Sequence, residues 1–281
     1  MSQIVYLGPL GTFSHEAAVK WGQRTGQDSF LACSSLSEVF SAIRNRRDRV
    51  AILPVENSTE GSINLTLDLV LAEDELKVIG EVVLNISQCL VSQAKDFKQI
   101  KEVWSHPQAL AQCRNYLDIN LPGVALRPSA STAEAISNAR YNPHMAAIGS
   151  SFAAEIYQIP IIASGIQDYK NNKTRFWVLG REPISFSGTY KTSLVVAAPA
   201  NRPGSLYNIL RYFAEADINL TRIESRPTKK ELGEYLFFID CEGKSMEPPL
   251  RDVLESLKSS TVLLKVLGTY PQDKGWKYEF K

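Results

Sequence analysis

From residue 4 to about residue 180, short β-rich runs alternate with stretches whose apolar residues recur at helical spacing. Residues 4–7, 50–53, 103–104, 124–126 and 146–148 read as strands. Between them Phe13, Ala17, Ala18 and Trp21, then Val39, Ala42 and Ile43, then Leu110, Cys113 and Leu117 each fall on one helix face. Parallel strands need a long crossover, usually a helix, so this alternation restricts the region to an α/β domain with largely parallel strands. Residues 76–91 interrupt it with a long β-type run, and β character returns at 161–166 and 176–179. A long strand that leaves one sheet and a later return suggest two α/β lobes, crossed near 76–91 and 161–179. Clefts between such lobes are common ligand sites.

After Gly180 the pattern changes. Residues 181–190 form a polar, turn-rich linker. Beyond it, residues 192–198 read as a strand, 203–216 as a helix, 218–225 and 235–241 as strands, 249–258 as a helix and 262–267 as a strand. That βαββαβ order describes a ferredoxin-like module. The expected division is therefore 1–180, a linker over 181–190, and 191–281, with a solvated basic tail at 274–281.

Composition narrows the chemistry. With 31 basic against 30 acidic side chains, the net charge of +1 makes no electrostatic case for nucleic acid. No apolar run approaches the roughly 20 residues of a membrane span, and the strand-like start leaves no leader peptide to expect. Cys33, Cys89, Cys113 and Cys241 form no C-x-x-C pair, and His15, His106 and His144 never stand four apart. A metal site is thus not expected, and the thiols read as free in a reducing cytoplasm. The chemistry is left to hydroxyls, amides, carboxylates and arginines.

Five loops carry such groups. Tyr6-Leu7-Gly8-Pro9-Leu10-Gly11-Thr12-Phe13-Ser14 runs from a strand into a helix, where glycines allow close approach and helix N–H groups attract an anion; the same residues serve equally as a turn with Thr12 or Ser14 as cap. Pro54-Val55-Glu56-Asn57-Ser58-Thr59-Glu60-Gly61-Ser62 also follows a strand, with Ser62 as a candidate cap. In Ser105-His106-Pro107-Gln108, Pro107 fits a first helical position and Gln108 and Gln112 share a face, while His106 reads as a cap or packing group. Ser131-x-x-Glu134 fits a capping box, beside Thr132. In Asn172-Lys173-Thr174-Arg175-Phe176-Trp177, Arg175 is a candidate carboxylate clamp or a strand-edge arginine. Together these loops suit a small, multiply anionic substrate whose reaction needs little proton abstraction.

In the order they occur, these motifs, with Asn201-Arg202-Pro203-Gly204-Ser205-Leu206 and Glu224-Ser225-Arg226-Pro227, make the chain resemble the monofunctional prephenate dehydratases that carry a C-terminal ACT regulatory domain. The resemblance spans nearly the whole chain. It implies a two-lobed, periplasmic-binding-protein-like catalytic domain followed by a ferredoxin-like ACT domain. It also implies conversion of prephenate to phenylpyruvate, carbon dioxide and water, in phenylalanine biosynthesis, without metal or organic cofactor.

By the same resemblance, Thr174 hydrogen-bonds the departing oxygen, directly or through water. Arg175 holds a carboxylate, Phe176 packs the pocket floor, and Asn57, Ser58, Ser105, Gln108, Gln112, Thr12 and Thr132 supply neutral donors. Glu56, beside a dianion, points away, orients Asn57 or is protonated. The ACT domain would bind phenylalanine between paired subunits of a homodimer or homotetramer. Asn201, Pro203, Gly204, Ser205, Leu206, Asn219 and Leu220 would frame the ligand, and Glu224, Ser225, Arg226 and Pro227 would link it to the interface and the lobes. Many relatives have Gly-Ala-Leu where this chain has Gly204-Ser205-Leu206. Arogenate dehydration and non-catalytic sensing of an anion or amino acid are the competing readings.

Overall fold

A computed structural model of the protein describes residues 3–184, 188–200, 202–229 and 234–273. The chain begins β1 (Gln3–Leu7), α1 (Phe13–Thr25), β2 (Phe30–Cys33), α2 (Leu36–Arg44), β3 (Arg49–Asn57), β4 (Gly61–Ser62), α3 (Asn64–Leu71) and β5 (Lys77–Asn85). It continues through β6 (Cys89–Ser92), β7 (Glu102–Ser105), α4 (Pro107–Gln112), α5 (Arg114–Asn120), β8 (Ala125–Pro128), α6 (Thr132–Ala139), β9 (Met145–Gly149), α7 (Ser151–Tyr157) and β10 (Ile161–Ser164). After β11 (Lys173–Gly180) come β12 (Tyr190–Ala197), α8 (Ser205–Glu215), β13 (Leu220–Pro227), β14 (Tyr235–Glu242), α9 (Leu250–Ser260) and β15 (Leu263–Pro271).

Three sheets result. The first runs β2-β1-β3-β11-β5, with β1 parallel to β2 and β3 and the short β4 turning back on β3. The second runs β10-β6-β9-β7-β8, where β7 is parallel to β8 and β9 while β6 is antiparallel to β9 and β10. The third is antiparallel, β13-β14-β12-β15. This is an α/β fold plus a βαββαβ module, as the alternation of periods implied, but its two larger sheets are mixed where largely parallel strands were expected, since β6 runs antiparallel to both β9 and β10.

Chain contacts divide the molecule into two compact units, Met1–Ile63 with Val82–Phe176, and Asn64–Glu81 with Trp177–Lys281. In the first unit both faces of the second sheet are covered. Ala135, Ile136, Ala153 and Ala154 pack on one side, and Ala109, Cys113, Leu117 and Leu121 on the other. In the second unit α8 and α9 cover the antiparallel sheet through Ile209, Phe213, Val253, Leu254 and Leu257 against Leu194, Val196 and Ile239. The segment from α3 into β5 belongs to the same unit. Asp68 pairs with Arg226 at 2.8 Å and Lys229 at 2.6 Å, and Gly268 meets Val78 so closely that a methyl group would overlap its carbonyl.

Several local expectations are revised. The long run at 76–91 is two strands in different sheets, β5 and β6, with Ile86 to Gln88 crossing between them. The return crossing lies beside it, since Asn172 O accepts Ile86 N at 2.8 Å and Gln88 O accepts Ile166 N at 3.1 Å. The polar stretch after Leu53 is strand as far as Asn57, because Ala51, Ile52, Leu53 and Val55 are fully buried and Ile63 N returns to Val55 O at 2.9 Å. Ser62 consequently pairs with Glu56 instead of capping α3. The stripe through Leu110, Cys113 and Leu117 spans two short helices that break at Cys113.

Candidate active site

The cleft lies wholly within the first unit, where a cavity of about 370 Å³ opens between its two sheets. Each contributing loop leaves the end of a strand, where an open α/β sheet presents unpaired backbone and helix starts. Thr12 closes the β1 loop, its Oγ1 accepting His15 N at 3.2 Å as N-cap of α1. His106 caps α4 through Nδ1, and Pro107 opens that helix. Ser131 caps α6, its Oγ accepting Glu134 N at 3.0 Å, while Glu134 Oε2 reaches one residue past the cap and accepts Ala130 N at 2.8 Å. Three helix starts therefore line one cavity, the two longest being α1 with 13 residues and α6 with eight.

The lining contains no lysine or arginine among the described residues; Glu60 and His106 are its ionisable groups. The cationic ends that the lining offers are thus first-turn N–H groups, a setting that suits carboxylates. Leu7, Pro54, Ile63, Ile86 and Phe176 supply apolar walls.

At the cavity floor Thr174 and Phe176 face inward from β11, as the period-two alternation of a strand demands, and Asn172, the residue just before that strand, continues the same side. Asn57 Nδ2 donates to Thr174 Oγ1 and to Asn172 Oδ1, both at 2.8 Å. Its Oδ1 accepts Thr59 N at 2.9 Å, Glu60 N at 3.1 Å and Thr59 Oγ1 at 2.6 Å, which fixes the amide's orientation. Gln112, from the other lobe, closes the ring by donating to Thr59 Oγ1 and accepting from Asn172 Nδ2, each at 3.4 Å.

Of the residues singled out in the sequence, Thr12, Asn57, Gln108, Gln112, Thr132, Thr174 and Phe176 meet at this cavity. Others are placed elsewhere. Ser105 is fully buried, its Oγ donating to Ile148 O at 2.7 Å. Ser58 ties β3 to β11, its N–H and hydroxyl engaging Lys173 O and N, both at 2.9 Å. Arg175 stands between two inward-facing neighbours, and its Nε and Nη2 both bind Glu56 Oε2, at 3.1 and 2.7 Å. Glu56 thus holds an arginine. Asn172 and Gln88 also line the cavity. The alternation about Thr174 could have signalled Asn172, whereas Gln88 is brought in by the strand crossing and leaves no local trace.

The cysteines are unpaired and buried, and burial pushes the Cys113 and Cys241 thiols up to about 12, away from nucleophilic use. Among the described residues no His/Cys/Asp/Glu group could hold a metal, and no helix is long and apolar enough to cross a membrane.

A second cavity, of about 570 Å³, lies in the βαββαβ module, where Arg202, Gly204, Ser205, Leu206, Tyr235 and Phe237 contribute. Gly204 sits at φ +86° immediately before α8, a left-handed conformation that side chains resist. Ser205 Oγ donates to Ala200 O at 2.7 Å. Pro203 is exposed beside this loop, and Asn201 lies outside the described residues. Asn219 and Leu220 instead engage β14: Asn219 O accepts Glu242 N, and Leu220 pairs with Cys241. Glu224, Ser225, Arg226 and Pro227 lie along β13, with Arg226 turned to Asp68.

Comparison with known proteins agrees with this arrangement. Residues 4–184 match the prephenate dehydratase family model and residues 192–259 the ACT domain model. The prephenate dehydratase of Methanocaldococcus jannaschii is 42% identical over 95% of this chain and 97% of its own length. The crystal structure of the Arthrobacter aurescens prephenate dehydratase in complex with L-Phe superposes with a TM-score of 0.87, at 31% identity, covering 99% of this chain and 93% of that one. The quorum-quenching acylase GqqA shares the architecture at a TM-score of 0.84 and 27% identity, over 97% and 98% of the two chains. A two-sheet cleft lined by helix starts and hydroxyls, a βαββαβ module following it in the chain, and matches along nearly the whole length place the chain in the prephenate dehydratase family, with a C-terminal ACT domain.

Proposed function

We propose that the cleft converts prephenate to phenylpyruvate with Thr174 at the departing oxygen, the reading carried by the Asn57–Thr174 hydrogen bond at its floor. Prephenate carries two carboxylates and a ring hydroxyl. Breaking the bond from the ring to its carboxylate releases carbon dioxide. The freed electron pair aromatises the ring and expels the hydroxyl, which takes up one proton to leave as water. No base is needed for this. The site must hold two anions, strip water from the one that leaves, and donate to the departing oxygen.

The residues are suited to those tasks. Asn57 donates to the Thr174 oxygen, so a hydroxyl lone pair is occupied and the Thr174 O–H is directed to another acceptor. That acceptor is the leaving hydroxyl, with the proton drawn from water because threonine is too weak an acid to supply it outright. The starts of α1 and α6, with Thr12 and Thr132, bind the carboxylates. Phe176, Ile63 and Ile86 exclude water from the ring. Arg175 acts through Glu56, bracing β11 against β3, rather than as a clamp on substrate.

The residues of 1–180 form the catalytic domain in this reading and 191–281 the regulatory one. Phenylalanine binds at the Gly204 loop, with its carboxylate on the start of α8; that the Arthrobacter relative forms a complex with L-Phe supports this choice of effector. The enzyme works as a homodimer or homotetramer in a reducing cytoplasm, where the four buried thiols stay unpaired. Gly204→Val, strained by the φ of +86°, is expected to raise the phenylalanine concentration for half-inhibition at least about tenfold. Parent-like sensitivity would place the effector elsewhere.

The testing experiment is turnover of prephenate followed as phenylpyruvate absorbance, with and without phenylalanine, with chelator present and with arogenate and an acyl-amide substrate in parallel. Product that phenylalanine suppresses supports both assignments. Binding of prephenate without product favours a sensor, and preference for arogenate or the acyl amide redirects the chemistry. Asn57→Asp makes a sharper check, because a carboxylate would accept from Thr174 and turn its proton away from substrate. Its kcat should fall roughly 10²-fold or more; a kcat matching the parent would remove Asn57 from this role.

A further inference from the structure

His15 is a buried titratable group beside the cleft that the reaction does not use. It lies in the first turn of α1, is 7% exposed, and its Nδ1 accepts Gly11 N–H at 3.2 Å. An acceptor at Nδ1 requires the neutral ring with its proton on Nε2. Gly11 stands at φ +86° directly before Thr12, the residue that caps α1 and lines the cleft. The ring itself is held in place. Tyr6 of β1 stacks on it at 4.7 Å, Phe30 of β2 meets it edge-on at 6.0 Å, and Phe152 of α7 lies at 5.1 Å. Tyr6 is the titratable group among these, and β2 and α7 present uncharged rings. Tyr157 of α7 anchors the same loop by donating to Leu10 O at 2.9 Å, and Glu16 follows on α1 itself.

We propose that neutral His15 is a positioning residue for substrate binding: it holds the Gly11 N–H and thereby sets the loop and the helix start that receive a substrate carboxylate. The inference rests on the reading of the cleft as the prephenate site. Protonating Nδ1 sets two donors against each other, so the loop must shift, and the consequence is a KM that rises in acid. Burial lowers the His15 pKa, which puts that rise below the ordinary histidine value of about 6.5. The linkage sign follows. The unfolded chain takes up the proton first, so stability is full above about pH 6.5 and declines as pH falls toward the lowered folded value.

The test compares His15→Asn and His15→Gln in the full chain, since asparagine places an acceptor where Nδ1 stood and glutamine where Nε2 stood. Steady-state kinetics on prephenate from pH 5 to 8 are read beside the Gly11 amide resonance and the melting temperature. The parent should show KM rising in acid with kcat nearly constant. His15→Asn should keep a parent-like KM that no longer depends on pH, and should lose the acid decline in melting temperature. His15→Gln should raise KM roughly tenfold throughout, the effect of one buried hydrogen bond. An acid limb that persists in His15→Asn, a parent-like KM in His15→Gln, or a Gly11 amide indifferent to the His15 titration overturns the proposal. A Gly11 amide that follows His15 in a parent chain that forms no phenylpyruvate from prephenate overturns the cleft reading on which it rests.

Discussion

Thr174→Ala is expected to lower kcat for prephenate by about 10²- to 10³-fold, the usual cost of removing one donor aimed at a developing oxyanion. KM should change by less than about threefold, because the lost contact strengthens only as the carbon–oxygen bond breaks. Thr174 is 8% exposed, faces the cavity and is held by Asn57, so its alanine variant leaves the strand and the pocket walls in place. Thr174→Ser retains the hydroxyl on the same Cβ and should recover most of the rate. Initial rates across a range of prephenate concentrations separate the two constants. An alanine variant within about threefold of the parent kcat would remove Thr174 from the chemistry.

The second large effect concerns stability. Glu81 on β5 is 2% exposed and receives Lys191 Nζ at 3.1 and 3.4 Å, together with Asp273 N–H at 2.9 Å. Lys191 is itself buried, at the start of β12, so the pair joins the β5 segment to the antiparallel sheet within the second unit. Lys191→Met takes a cation at 3.1 Å from a carboxylate in low dielectric and should destabilise that unit by about 3–5 kcal/mol, measured by urea unfolding. Adding Glu81→Leu should restore most of the loss, because removing both charges together avoids the uncompensated desolvation. A loss under about 1 kcal/mol in the single variant would mean that Glu81 is adequately held by its other contacts.

Much of the fold could be read along the chain because it is encoded locally. Helical stripes such as Ala17, Ala18 and Trp21 are fully or nearly fully buried in α1, and the βαββαβ order appears in sequence as it does in the third sheet. Ser131 caps α6 as its spacing to Glu134 implies, with the return bond of Glu134 falling on Ala130 N, since all these groups lie within about one helical turn. The errors fall where a local signal has more than one tertiary outcome. Apolar runs at 76–91 look alike whether one strand continues or two sheets share them, and Leu110, Cys113 and Leu117 keep a helical period across a helix break.

Fold class, family and the loops that meet at the cleft are legible along the chain, because periodicity and turn chemistry act over a few residues. Tertiary structure decided which side chains in those loops face it. Thr174 and Arg175 are adjacent, yet the pleat of β11 sends one into the cavity and leaves the other to Glu56, 119 positions away. Ser105, equally polar in sequence, is drawn into the second sheet by Ile148 O, 43 positions away, while Gln88 reaches the cleft through a crossing between sheets. A polar side chain takes whichever partner the packed fold brings within about 3 Å, and that partner is set by strand order and register, which no local pattern encodes.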